Sequence, residues 1–269
     1  MFNALTIAGS DSCGGAGIQA DLKAFSANGV YGMSVITAVT AQNTMGVFGI
    51  QDISPEIIKG QIDAIFDDIE VHGIKIGMVS KIESIKAVAQ SLEKIKKLPY
   101  IVLDPVMVSK SRFKLLSEDA TKTLIEELLP LSFLITPNIP EAEEITGRKI
   151  SNIDDMKQAA KELHKMGPKN VLVKGGHLNG PATDIFYDSV NFSEIKGERI
   201  DTIHTHGTGC TLSSAIAANL AKGMEVLSAV TMGKNYVAKA IEKGFKLGKG
   251  VGPTHHFYEL YRKAGILDE

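Results

Sequence analysis

The segment HTHGTGCTLSSA, His204 to Ala215, sets Gly207, Thr208, Gly209 and Cys210 at the head of an apolar, small-residue stretch with helical character. Amides in the first turn of a helix have no carbonyl one turn back, and that end carries partial positive charge. Glycines at 207 and 209 let an anion approach the backbone closely. The chemistry on offer is phosphate binding, next to a thiol whose pKa such a helix end lowers. A turn of small residues with Cys210 packed in the core is the competing reading, and spacing leaves both open.

A second glycine cluster, SDSCGGAGIQAD, fits the dinucleotide pattern G-x-G-x-x-A from Gly15 to Ala20. The acidic residue expected on the next strand is missing, since Leu22 to Gln51 holds no Asp or Glu. A glycine turn that lets a substrate lie on the backbone accounts for the cluster equally well, with Cys13 passive beside it. No G-x-x-x-x-G-K-[ST] segment occurs, which argues against a P-loop NTPase. His204/His206 and His255/His256 lack the cysteine partners of a zinc motif, so they read as polar turn residues rather than zinc ligands.

Four polar residues stand at the ends of apolar runs: Asp11, Asp104 in LDPVM, Asn138 in TPNIPEAEEI and Lys174 in LVKGGH. Asp104 with Glu141 offers carboxylates for Mg²⁺, usually held through waters. Asn138 with Glu141 three residues on is also a capping arrangement for a helix start. Lys174 beside two glycines suits a phosphate or nucleotide edge, and a solvated surface lysine is the alternative.

Alternating strand and helix patterns must position these groups. NALTIAG, YGMSVITAVTAQN, IKIGMV, YIVLDPVM, SFLITPN and NVLVKGG read as strands, with Thr183–Tyr187 and Ile195–Ile200 as a later strand pair. Helical patterns lie between them, and two long helices, Thr208–Lys222 and Val226–Lys243, follow. Runs such as IVLD, FLIT and VLVK are apolar without alternation, which marks strands covered on both faces. The fold class is therefore α/β: a central, mostly parallel sheet between helix layers, in one domain over residues 1–269. Ligands of such folds bind beyond the carboxyl ends of the strands, where the four polar residues stand.

The chain has 269 residues and a formal net charge of -2, without the basic excess of a nucleic-acid protein. No apolar run reaches about 18 residues, so no membrane span is expected. The N-terminus MFNALTIAGSD has no basic region of a signal peptide, and two distant cysteines fit a reducing compartment. Cytoplasm is the expected location.

The order of these segments is more specific than any one of them. ALTIAGSDSCGGAGIQADLKAFSANGVYGMSVITAVTAQNT, KIGMV, VLDPVM, LITPNIPEAEEITG, VLVKGGH, THGTGCTLSSAIAANLAKG and GKGVGPTHHF together resemble the hydroxymethylpyrimidine/phosphomethylpyrimidine kinases of thiamine biosynthesis. The resemblance covers nearly the whole chain. It implies a three-layer α/β/α ribokinase-like fold and ATP with Mg²⁺ as cofactors. It also implies a homodimer, and two successive phosphorylations of 4-amino-5-hydroxymethyl-2-methylpyrimidine. By position, Gln42 matches the glutamine that pairs with the pyrimidine, and Asp21 a residue near its polar groups. Met78 and Val106 resemble the apolar walls of that pocket. Asn138, Lys174 and Gly209 resemble nucleotide contacts, and Asp104 and Glu141 the metal surroundings. Gly207, Thr208 and Gly209 form the anion cradle, and Cys210 falls where sugar kinases of the superfamily carry a catalytic aspartate.

The segment after DPVMVSKS departs from the family's Gly-Asp-x-Leu-Leu and reads Arg112-Phe113-Lys114-Leu115-Leu116, which bears on a flap and on the second phosphorylation. Three other functions compete. Pyridoxal kinases share the Gly-Thr-Gly-Cys turn and also act on a hydroxymethyl group of a flat ring. A Rossmann oxidoreductase rests on Gly15 to Ala20, and a non-catalytic pyrimidine sensor would keep the fold alone.

Overall fold

The computed structural model describes residues 1–107 and 116–267. Strand β1 (Asn3–Ala8) leads to helix α1 (Gly17–Ala27) and strand β2 (Tyr31–Ile36). A hairpin follows, β3 (Ala38–Asn43) and β4 (Gly46–Asp52), then α2 (Pro55–Phe66), β5 (Gly73–Ile76) and α3 (Ile82–Glu93). Next come β6 (Tyr100–Leu103), α4 (Glu118–Glu127), β7 (Leu134–Ile135), α5 (Ile139–Thr146), α6 (Ile153–Lys165) and β8 (Asn170–Val173). Strands β9 (Asp184–Tyr187) and β10 (Phe192–Ile195) precede α7 (Thr208–Ala221), α8 (Val226–Glu242) and α9 (Tyr258–Lys263).

Eight strands form one sheet in the order β10-β9-β8-β7-β6-β5-β1-β2. The pairs from β2 through β8 are parallel, and β8–β9 and β9–β10 are antiparallel. Alternate residues of each strand enter different cores, as expected when both faces are covered. Ile101 and Leu103 join the core that holds Ile58, Val88 and Leu163, whereas Val102 joins the core of Leu212, Ile216 and Val230. The fold is the ribokinase-like α/β/α arrangement.

Local chemistry sets the helix starts. Ser54, Ser117, Asn138 and Asn152 each accept a hydrogen bond from an amide of the first turn of α2, α4, α5 and α6. Helix α7 differs. Its N-cap is Gly207 at φ 76°, with no side chain capping it and no acid in its first turn. Thr211 to Ala221 are all buried, whereas Gly207 to Cys210 at the helix start are half-buried.

Two expectations about elements need correction. YGMSVITAVTAQN is two strands, because Thr37 bonds to Ala8 and Met78 and turns the chain out of the sheet. Its second half pairs with β4 in a separate two-stranded sheet. The second strand of the late pair lies at Phe192–Ile195, not Ile195–Ile200. Asp188 Oδ1 accepts from the amides of Val190 and Asn191 and closes the turn early. Among the described residues no helix is long and apolar enough to cross a membrane.

Candidate active site

Strands β6 and β8 end next to the start of α7. Asp104, just beyond β6, accepts from Lys174 Nζ at 2.8 Å on Oδ1, and Thr136 Oγ1 donates to the same oxygen at 3.3 Å. Asp104 is 2 % exposed. Gly209 faces this pair: a Cβ there would stand 3.2 Å from Asp104 Oδ2 and 3.4 Å from Lys174 Nζ. Burial pulls the Lys174 ammonium down, but the charges of Asp104 and Glu141 outweigh it and the pKa is raised. Unpaired amides of Gly209 and Cys210, a neighbouring ammonium and a carboxylate thus share one point of the sheet edge.

Asn138 caps α5 and forms a single parallel bridge with Lys174. Its side chain accepts from the Glu141 amide at 2.9 Å, and Glu141 Oε2 accepts from the Asn138 amide at 2.7 Å. The capping reading of this pair is correct. It does not use up Glu141, whose pKa burial raises to about 7, with the Asp104 charge adding to the rise and Lys174 opposing it. Two neighbouring buried carboxylates suit a divalent cation, so the residues present fit Mg²⁺.

Cys210 sits at the third position of α7 and is half-buried. The expected lowering of its pKa is overturned. Burial pushes the thiol up to about 11; the Asp21 and Asp104 charges add to the rise, and the Lys75 ammonium and the Gly17 amide oppose it. Desolvation of a thiolate outweighs the half-charge of the helix end here.

Asp21 does not open on the cleft. It is fully buried, with Oδ2 accepting from Thr6 Oγ1 at 2.6 Å and Lys75 Nζ at 2.8 Å and Oδ1 from Ser214 Oγ at 2.7 Å. Both carboxylate oxygens are engaged, so the residue ties α1, β1, β5 and α7 together beneath the site. Its reading as a substrate contact is corrected accordingly.

The glycine turn after β1 is organised by Asp11. Oδ1 accepts from the Cys13 amide, and Oδ2 from the amides of Gly15 and Ala16. Asp11 thus takes up the Gly15 and Ala16 amides that a pyrophosphate would need, which counts against the oxidoreductase reading. The turn instead supports the α7 loop: a Cβ on Gly207 would collide with the Gly15 carbonyl.

His206 is the residue the sequence reading missed. It is 7 % exposed, with Nε2 2.7 Å from Asp11 Oδ2, 3.6 Å from Cys13 Sγ and 3.5 Å from Gln42 Nε2. It is not a polar turn residue, and its partners lie up to 195 residues away. Burial raises the Cys13 thiol to about 11, and the Asp11 carboxylate adds to that. Gln42 stands at a bulge in β3 and accepts from Thr40 Oγ1 at 3.3 Å. The Met78 side chain packs against Gly9, and Val106 is half-buried beside Asp104. Residues 112–114 lie outside the described residues.

A family model described as phosphomethylpyrimidine kinase matches residues 11–255. The chain belongs to that family. It is 52% identical over 263 residues to the hydroxymethylpyrimidine/phosphomethylpyrimidine kinase of Rhizobium meliloti, covering 96% of this chain and 98% of the relative. A crystal structure of phosphomethylpyrimidine kinase from Clostridium difficile superposes with a TM-score of 0.81 at 55% identity, covering 90% of this chain and 100% of that one. The ADP complex of Bacillus subtilis pyridoxal kinase superposes with a TM-score of 0.89 at 39% identity, covering 97% and 99%. As a phosphomethylpyrimidine kinase family member the chain is a phosphotransferase. The family's nucleotide use agrees with the uncapped, half-buried start of α7.

Proposed function

We propose that this kinase transfers the γ-phosphoryl group of ATP to the hydroxymethyl oxygen of 4-amino-5-hydroxymethyl-2-methylpyrimidine, and then phosphorylates the monophosphate to the diphosphate. The observation that carries the reading is the meeting of α7's uncapped N-terminus with the Lys174–Asp104 pair at Gly209. Phosphoryl transfer needs positioning and charge neutralisation more than covalent help. In this reading the amides of Gly207 to Cys210 hold the charge that develops on the moving group, and Lys174 neutralises it from one side. Asn138 and Lys174 contact the nucleotide. Asp104 and Glu141 hold Mg²⁺, which when bound supplies charge neutralisation at the phosphates.

The Gln42 amide offers a donor and an acceptor together, the pattern needed by an aminopyrimidine edge, between walls formed by Met78 and Val106. Cys210 takes the alcohol proton late, when charge has already built up on the leaving oxygen. Only its thiolate can accept that proton, and with a pKa near 11 the thiolate is a small fraction of the enzyme at neutral pH. The chain works as a homodimer, for which the exposed Val39, Met45 and Phe48 of the β3–β4 hairpin supply an apolar face. The cytoplasm suits its two free cysteines.

The test compares kcat/KM for the pyrimidine alcohol and for pyridoxal, with ATP in excess. The account predicts the higher value for the pyrimidine. A much higher value for pyridoxal would reassign the substrate to the vitamin B6 class.

A further inference from the structure

Asp11, Cys13 and His206 bring one ligand atom each within 4.8 Å of one another, and among the described residues no other such group of three occurs. We propose that Asp11 Oδ2, Cys13 Sγ and His206 Nε2 form a binding site for a divalent transition ion of the zinc class, and that an ion held there blocks the alcohol end of the cleft. The blocking half rests on the placement of the pyrimidine at Gln42; the binding half does not.

The donor set decides the ion. Thiolate, imidazole and carboxylate together favour a borderline-soft cation such as Zn²⁺ over Mg²⁺, which prefers oxygen ligands and keeps its waters. The spacing fits as well. Tetrahedral Zn²⁺ with the usual bond lengths sets sulfur about 3.5 Å from an oxygen or nitrogen ligand. Here Cys13 Sγ lies 3.4 Å from Asp11 Oδ2 and 3.6 Å from His206 Nε2. The Asp11–His206 separation of 2.7 Å must open by roughly half an ångström to the ideal spacing.

Each donor is held by its own surroundings. Asp11 is fixed by the amides of Cys13, Gly15 and Ala16. The His206 amide donates to the Gly252 carbonyl, and its ring packs so tightly on Gly15 that a Cβ there would collide with it. Such outer contacts orient ligands before an ion arrives. The fourth position opens toward Gln42, whose amide nitrogen is 3.5 Å from His206 Nε2. A half-turn of that amide presents its oxygen instead. An ion there takes the amide away from the pyrimidine edge.

Binding balances in protons. The ion replaces the hydrogens that Cys13 and His206 direct at Asp11 Oδ2. The thiol proton is released to solvent as the S–metal bond forms, and the hydrogen on His206 Nε2 moves to Nδ1 by way of solvent, which frees Nε2 to ligate. No electron moves.

Titration of the full-length protein with Co²⁺ reads this directly. The expected result is one ion per chain, with a thiolate-to-cobalt charge-transfer band that Zn²⁺ removes and Mg²⁺ does not. Cys13→Ser, with an unchanged circular dichroism spectrum and basal turnover, should lose the band and bind at least about ten-fold more weakly. Cys210→Ala should keep it. In the kinase assay Zn²⁺ should compete with the pyrimidine alcohol, and Cys13→Ser should need about ten-fold more Zn²⁺ for equal inhibition. No band, a band that survives Cys13→Ser, or one that disappears in Cys210→Ala would overturn the site. A correct band with inhibition that does not compete with the alcohol would overturn the blocking half and the Gln42 placement together.

Discussion

Lys174 Nζ donates to Asp104 Oδ1 at 2.8 Å across the ends of β8 and β6, and both groups face Gly209 at the start of α7. In the proposed reaction this pair meets the phosphoryl group at the helix start, and its two members depend on each other. Lys174→Met should lower kcat by about 10²- to 10³-fold, the scale for loss of one group that stabilises developing charge. Asp104→Asn should also lower kcat. The double variant should fall no further than the sum of the two, and by less if they act as a unit, which a double-mutant cycle in kcat/KM checks.

The two glycines of the cradle should fail in different ways. Gly207 has a positive φ and no room for a Cβ against the Gly15 carbonyl, so Gly207→Ala should lose folded protein. Gly209 lies in the helix, and its Cβ would meet only Asp104 and Lys174 at 3.2 and 3.4 Å. Gly209→Ala should leave the thermal midpoint unchanged or raised, since alanine is favoured in helices by up to about 1 kcal/mol. Its kcat should fall at least about ten-fold, because the methyl group crowds a group that stabilises charge. Melting curves and turnover on the same samples separate the two effects.

A proton acceptor with a pKa near 11 leaves a signature in the pH profile. The rate of the Cys210 enzyme should rise through the alkaline range, because the reactive thiolate fraction grows toward that value. Cys210→Ala should lower kcat by about 10- to 10⁴-fold and flatten the rise. Cys210→Asp supplies a base ionised at neutral pH and should give a flat profile with activity above that of the alanine variant. A wild-type profile already flat from pH 7 to 10 would make Cys210 a spectator.

Gln42→Leu should weaken binding of the pyrimidine alcohol by about 1–3 kcal/mol, roughly five- to 150-fold in Kd, because a polar ring edge is left unpaired. ATP binding should be unaffected. Calorimetric titration with each ligand checks both statements.

His256 gives a pH dependence of stability with a definite sign. Burial pushes its pKa from 6.5 down to about 3, and Nε2 lies 3.0 Å from Thr211 Oγ1 in the first turns of α7. The unfolded chain binds the proton more readily, so this contribution is complete above pH 6.5 and is lost as the pH falls toward 3. Glu141 acts in the opposite sense, since its raised pKa removes stability as the pH rises through about 7. The difference between wild type and His256→Gln isolates the histidine: the wild type should lose more in its thermal midpoint between pH 7 and 5.

The sheet was legible in the sequence because its strands are covered on both faces and read as apolar runs. The α7 turn was legible because glycines ahead of a small-residue run of helical spacing mark the start of a helix. The β3–β4 hairpin was not, since its exposed, glycine-containing second strand has no apolar run, and the bend at Thr37 is set by bonds to Ala8 and Met78. His206 was missed because its partners come from the other end of the chain. Asp21 looked like a ligand for the same reason: Lys75 and Ser214, which enclose it, are far away in sequence. The Cys210 pKa followed burial, which local pattern does not reveal.

The central claim is that the unpaired amides opening α7 hold the travelling phosphoryl group. A crystal structure with a non-hydrolysable ATP analogue and the pyrimidine alcohol measures this directly. The account predicts the terminal phosphate within hydrogen-bonding distance of the Gly209 and Cys210 amides, facing the hydroxymethyl oxygen. A terminal phosphate bound away from that helix end would contradict it.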